Sequence, residues 1–266
     1  MMKRLTDGVR LYMHYVSLNL RSAMQHKTSF FLQIAGQLLT SMTTFLGITF
    51  MFMRFKQVGG YTYSDMLVCF SVVMLQFSLA EMFARGFDTF PSMVRKGEFD
   101  RVLVRPRGAV LQVLGARFEL TRIGRLLQAL IIFVYGVSAS HVEWTALRIL
   151  TLVSMLLGGT LLFAGLYLVY AAFCFFTLEG LEFMNIFTDG AREYGKYPVD
   201  VYGEKMKKFA TFVIPYALVQ YYPLQLLIGC SDCWQYALYP LGAAPFLAAC
   251  YGFWRFGVRH YTSSGS

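Results

Sequence analysis

Four stretches of this chain run without charge for as long as a helix needs to cross a bilayer: Thr28 to Met53, Ile149 to Leu178, Phe209 to Ser231 and Trp234 to Trp254. The hydrocarbon core of a bilayer offers no water to backbone N–H and C=O groups. A helix of ~20 apolar residues, which pairs those groups internally, is the economical way across. Met66 to Ala80 and Leu126 to Ser140 become full spans once a flanking charge is admitted at one end. The runs are continuous rather than alternating in ~10-residue units, which favours a helical bundle over a barrel. The expected fold is an all-α polytopic membrane protein with six transmembrane helices over 28–53, 64–88, 113–140, 147–178, 205–222 and 236–256.

The net charge of +9 invites a nucleic-acid partner, but the distribution of the 24 lysines and arginines argues against one. With a cytoplasmic amino terminus and six spans, only Arg54, Lys56 and Arg148 fall outside, leaving 24 − 3 = 21 inside. That asymmetry is the positive-inside signature and places both termini in the cytoplasm of a plasma-membrane protein. The inside set counts Arg192, Lys196, Lys205, Lys207 and Lys208, on the expectation that 179–204 is a cytoplasmic loop. No cleavable signal peptide is expected, because the first uncharged stretch is too long for an h-region and lacks a small-residue cleavage site.

Residues 3–26 read as an interfacial amphipathic helix. Asp7, Arg10, His14, Ser17, Arg21 and Gln25 recur every three or four positions, opposite Leu5, Val9, Tyr12, Val16 and Leu20. In the first span Gln33, Gln37, Thr40, Thr44 and Gly47 fall near one face, which should turn from lipid toward a neighbouring helix or a translocation path. Glu81, Arg85 and Asp88 end the second span, and Glu119, Arg122 and Arg125 begin the third; pairing across helices at the inner boundary is the expected use. Pro215, Pro223, Pro240 and Pro245 should interrupt the last two spans. With Tyr221 and Tyr222, Pro223 is expected to end the crossing early, so that 223–235 forms a short re-entrant hairpin and an outer gate. Cys230 and Cys233 are compatible with a disulfide or with two free thiols.

Between the second and third spans, 91–107 mixes both charge signs with Phe99, Val102, Leu103 and Val104, and is bracketed by Pro91 and Pro106. A short amphipathic helix with defined stops fits, and its apolar content suits a docking element. The string Lys96-Gly97-Glu98-Phe99-Asp100-Arg101-Val102-Leu103-Val104-Arg105-Pro106 resembles the first cytoplasmic loop of ABC-2-type exporter permeases. More narrowly, it resembles a subfamily once described only as a domain of unknown function. The block from Glu182 to Tyr202, the segments Thr211 to Ala217 and Tyr221 to Pro223, and the tail Arg259 to Ser266 are similar to that subfamily too.

The resemblance implies a six-span half-transporter that pairs with a second copy or a paralogous permease and binds two copies of a separate ATPase. ATP and Mg would sit in the ATPase. The chain itself has no Gly-x-x-x-x-Gly-Lys-Ser/Thr phosphate loop and is expected to be no enzyme and to carry no cofactor or metal. The coupling role would fall on Gly97, Glu98, Phe99, Asp100, Arg101, Leu103, Arg105 and Pro106, and the connecting helix would be 3–26. Two other classes stand beside this one. A membrane-embedded enzyme acting on lipids is suggested by Asp189-Gly190-Ala191-Arg192, a faint echo of CDP-alcohol phosphotransferases that lacks their further aspartates. An ATP-independent channel or carrier would call for a charged centre at mid-membrane, and the four clearest spans have none. Spans of this composition favour a hydrophobic or amphipathic cargo.

Overall fold

The computed structural model describes residues 2–140, 142–177 and 185–262. Glu182 to Met184 and Ser263 to Ser266, two pieces of the family-like blocks, lie outside the described residues, as do the side chains of Leu5 and Val9. Among the described residues the chain is helical without strands; Val58 and Tyr61 form an isolated bridge pair. Four helical stretches are long and apolar enough to cross a membrane: Arg10–Arg54, Tyr63–Arg95, Leu120–Ala139 and Ala146–Thr177.

Helix α1 (Met2–Ala23) passes through a 3-10 turn and a bend at His26 into α2 (Lys27–Arg54). Helix α3 (Tyr63–Ala84) opens on a capping box, in which Thr62 and Asp65 satisfy each other's orphan N–H groups. From Met66 to Ser78 every residue of α3 is buried, so this helix is the axis of the bundle. A helix apolar on all sides belongs at such a centre. Beyond α3 follow the short helices α4 (Phe90–Arg95), α5 (Glu98–Leu103) and α6 (Ala109–Ala116). Then α7 (Ile123–Ala139) and α8 (Ala146–Thr177) pack on α3. Glycine permits the closest of these approaches. A Cβ at Gly159 of α8 would stand 2.2 Å from Gln76 Cδ of α3, and one at Gly136 of α7 would stand 3.1 Å from Leu67 Cβ.

The third span begins later than its expected residue 113. Residues 109–116 form the separate helix α6, and the charged 117–119 stretch is extended, with Glu119 N–H donating to the Met82 carbonyl (3.3 Å). The fifth is not continuous over 205–222. It divides into α10 (Glu204–Phe212), α11 (Tyr216–Val219) and α12 (Tyr221–Leu227), with α9 (Asn185–Tyr194) before it. The sixth reaches regular helix only at α13 (Ala243–Arg259), after 3-10 turns over Trp234–Ala237 and Tyr239–Gly242. The prolines explain the breaks differently from the expectation of mid-helix kinks. Pro215 caps α11, while Pro223 and Pro245 occupy the third positions of α12 and α13. First-turn N–H groups have no intrahelical acceptor, so proline costs no bond there. Pro223 therefore starts a helix that the sequence suggested it would end, and the expected 223–235 hairpin begins inside α12.

The two ends of the bundle are distinguished by Tyr61 and by Phe99. Residues 195–202 were expected on the Phe99 side with the other cytoplasmic segments, yet they lie at the Tyr61 end. Tyr61 donates to Asp200 (2.7 Å), and a Cβ at Gly59 would stand 2.9 Å from Val201. Farther along, Gly195 packs on Val73 and accepts from Cys69 (3.4 Å), while Arg192 lies over the Phe77 ring (5.1 Å). The segment after α8 thus runs up along α3, and 55–62 and 195–202 share one end. At most 21 − 5 = 16 basic residues remain with the Phe99 end on this path, still a majority of the 24.

Candidate functional site: a loop rooted in an aromatic core

The 90–107 segment is two short helices joined at a glycine. Pro91 fits the first turn of α4, Lys96 N–H donates to Ser92, and Gly97 N–H donates to Val94 (3.0 Å). Gly97 then adopts φ 65°, ψ 12°, a left-handed conformation that closes α4 and opens α5. Three-residue spacing turns Phe99 and Val102 inward. Glu98, Arg101, Leu103, Arg105 and Pro106 stay exposed, and Val104 is 83% exposed. Buried Gln112 of α6 holds the outgoing chain, donating to the carbonyls of Val102 (3.1 Å) and Arg107 (3.0 Å).

Phe99 was expected to contact a partner and does not face outward. It is fully buried, with its ring centroid 4.9 Å from Phe90, 5.5 Å from Phe175 and 6.2 Å from Trp254, mostly edge to face. Tyr261 closes the cluster at 5.2 Å, and its phenol is pushed upward by burial and then by the neighbouring Asp100 carboxylate. Such ring pairs add ~0.5–1.5 kcal/mol each beyond the area they bury. The loop is thereby fastened to the ends of α8, through Phe175, and α13, through Trp254. Sequence reasoning missed Phe90, Phe175, Trp254 and Gln112, because partners drawn from four distant segments leave no spacing to read.

Helix α1 lies beside this loop. Asn19 donates to the Gly115 carbonyl (3.3 Å), and Tyr12 donates to the Phe83 carbonyl (2.9 Å). Arg10 and His14 are exposed and line a polar hollow with Arg107; Arg21 is exposed apart from it.

One layer inward, the two expected charge clusters meet. Glu81, 3% exposed, accepts from Arg125 (2.6 Å) and Arg85 (3.0 Å) and lies 3.4 Å from Arg122. Arg85 also pairs with Asp88 (3.1 Å), and Arg125 donates to Gln37 of α2 (2.5 Å). The hub ties α2, α3 and α7 together. Of the expected polar stripe only Gln37 joins it. Gln33 and Thr40 are exposed, satisfied within α2 by Ser29 and the Gly36 carbonyl, and Thr44 is half-buried.

The expected gate residues sit away from the loop. Tyr221 donates to Asp200 (3.1 Å), and Tyr222 packs against Tyr236 and Tyr239 with centroids 5.4 and 5.3 Å away. Cys230 and Cys233 are free thiols. Among the described residues no three His, Cys, Asp or Glu side chains group closely enough to hold a metal.

The arrangement presents an exposed loop seated on an aromatic core and, one layer inward, a buried ion hub. No curated protein and no solved structure matches the chain. A family model described as ABC-2 family transporter protein matches residues 38–265, from the first long helix through the aromatic core to the tail. The chain belongs to the ABC-2 transporter family, whose membrane permeases typically work with a separate ABC ATPase.

Proposed function

We propose that the chain is the permease subunit of an ATP-driven exporter, seated on its ATPase through residues 97–106 and moving a hydrophobic or amphipathic cargo out of the cell. The carrying observation is the division of labour within that loop. Arg101, Leu103, Val104 and Arg105 are exposed, free to meet a partner, while Phe99 roots them among Phe90, Phe175 and Trp254. A load on the exposed face would be passed to α8 and α13 through packed rings. The functional transporter would hold two permeases and two ATPases, with ATP and Mg in the latter. Both termini and α1 would lie at the cytoplasmic face of the plasma membrane; 185–202 would make the fifth crossing, α10–α12 would dip in from the Tyr61 end and return to it, and α13 with the turns before it would make the sixth.

Pairing of permeases is supported by α2. Of its 28 residues only Phe30, Ser41 and Ile48 are buried, and Gly36, Thr40, Thr43 and Gly47 leave small and polar groups on its surface. Small residues at four-residue spacing let helices approach closely in lipid.

The docking test is co-purification of the ATPase with the tagged permease. Arg101→Ala combined with Arg105→Ala is expected to reduce recovery of the ATPase and cargo-stimulated hydrolysis together by roughly tenfold or more, as removal of interface charges does. Undiminished recovery would overturn the assignment.

A further inference from the structure

Helices α6 and α13 enclose a cavity of about 290 Å³ whose charged lining is Arg255 and Arg259, with no acidic residue beside them. Both arginines are exposed, and among the described residues neither has an ion-pair partner. They stand one turn apart at the end of α13, where the uncharged run from Trp234 to Trp254 gives way to charge. In a crossing helix that level is the headgroup boundary. Tyr251, one turn earlier and 46% exposed, belongs to the same lining, so the cavity is continuous with the apolar flank of α13. Trp254 forms its floor. Its ring is 2% exposed and is packed among Phe87, Phe90, Phe99 and Phe175, with centroids between 4.9 and 6.2 Å away. The indole N–H has no hydrogen-bond partner among the described residues and is not sealed inside the core, which leaves the cavity as its outlet. An indole can only donate, and a buried one ordinarily finds an acceptor. The facing wall is the first turn of α6, opened by Gly108 without a side-chain cap or an acidic residue. Two guanidiniums and an unanswered N–H in one cavity call for an anion with several oxygens.

We propose that Arg255, Arg259 and the Trp254 N–H hold the phosphate of an anionic phospholipid between α6 and α13. A lipid is favoured over a soluble anion because the arginines stand at the end of a crossing helix and share their cavity with Tyr251. The bound head would rest against Trp254, and so against the aromatic core that fixes Phe99 and the 97–106 loop. The site rests on α13 as the last crossing and requires neither the ATPase nor the cargo. It is tested by binding alone, so its failure leaves the ATPase-docking result untouched.

The test uses the purified full-length chain in neutral detergent. Exposed Trp144 and Trp234 are changed to Phe, which leaves Trp254 as the one tryptophan. The chain is titrated with phosphatidylglycerol, phosphatidylcholine and inorganic phosphate while Trp254 emission is read, and native mass spectrometry counts the lipids retained. Phosphatidylglycerol is expected to shift the emission and to bind at least about tenfold more tightly than phosphatidylcholine, a difference of about 1.4 kcal/mol. Arg255→Gln with Arg259→Gln should abolish both the shift and the preference. Arg21→Gln with Lys27→Gln, which removes equal charge from exposed positions outside the cavity, should leave both unchanged. Ala109→Phe, which fills the cavity without altering its charge, should weaken phosphatidylglycerol binding. Equal binding of phosphatidylcholine, or a shift retained in the double arginine variant, overturns the proposal. A full shift with inorganic phosphate alone marks a soluble-anion site and overturns the lipid assignment. If the double arginine variant keeps its lipid response but no longer recovers the ATPase, the arginines serve that partner and the proposal fails.

Discussion

Phe99 shows how one side chain can fix a loop in place while its neighbours stay exposed. It sits in a string of exposed charged and apolar residues, where its neighbours Arg101 and Leu103 face outward, and only the fold reveals that it points the other way. Its truncation should therefore damage the permease itself. Phe99→Ala leaves a cavity among Phe90, Phe175 and Trp254 and is expected to destabilise the chain by ~3–5 kcal/mol. Exposed Arg101→Ala should stay within ~0.5 kcal/mol of the parent. Thermal unfolding in detergent measures both, and comparable stabilities would show that Phe99 is no anchor. That 91–107 holds short helical structure was legible from residue types and bracketing prolines, since those are local signals. The orientation of each residue was not, because it depends on rings contributed by α8 and α13. The Glu81 hub lies between these cases. Its members were readable as charges at span ends, whereas the sharing of Glu81 by three arginines is a property of how α3 and α7 are staggered.

Among the elements, α3 and α8 repay the closest comparison with their sequences. Both read as apolar throughout, and periodicity gives no face to either. The contact is set by Gly158 and Gly159, where α8 admits Pro240 on one side and Gln76 on the other. Gln76 is buried and donates to the Met155 carbonyl (3.0 Å), so it is held in place and cannot swing aside. Gly159→Ala would thrust a methyl group into that amide and is expected to cost ~1–3 kcal/mol through overpacking. Gly252 of α13 has open space around its Cα, and Gly252→Ala should stabilise by up to ~1 kcal/mol through helix propensity. Equal melting temperatures for the two variants would remove Gly159 as the determinant of the α3–α8 crossing. The third span, expected from 113, becomes regular helix only at Ile123, but the uninterrupted helices α2, α3 and α8 were legible to within a few residues because length and apolarity alone decide them. The fifth and sixth were not. Proline marks where a helix is interrupted, but whether it ends one helix or begins the next depends on the partners waiting for the freed carbonyls.

At the scale of the whole molecule, the main departure from the sequence reading concerns which end of the bundle each segment reaches. Charge counting assigned 179–204 to the cytoplasm, since Arg192, Lys196, Lys205, Lys207 and Lys208 look like positive-inside residues. In the folded chain three of those five charges are answered locally or over a ring: Lys196 and Arg192 by Glu193, Lys207 by Glu204 (3.7 Å) and by the Tyr221 ring (5.1 Å), while Lys205 and Lys208 are exposed. Paired and snorkelling cations carry little topological weight, so the hydrogen bond of Asp200 to Tyr61 can sit at the end opposite Phe99. Labelling decides the matter. In a chain with Cys230 and Cys233 changed to Ser, single cysteines are placed at Gln57, Tyr202 and Arg101, all exposed positions. An impermeant maleimide added outside intact cells should modify Gln57→Cys and Tyr202→Cys and spare Arg101→Cys until the membrane is opened. Should Tyr202→Cys instead behave like Arg101→Cys while Gln57→Cys reacts from outside, the path of 185–202 along α3 would be wrong. The charge count would then have been the better guide to this segment than its packing.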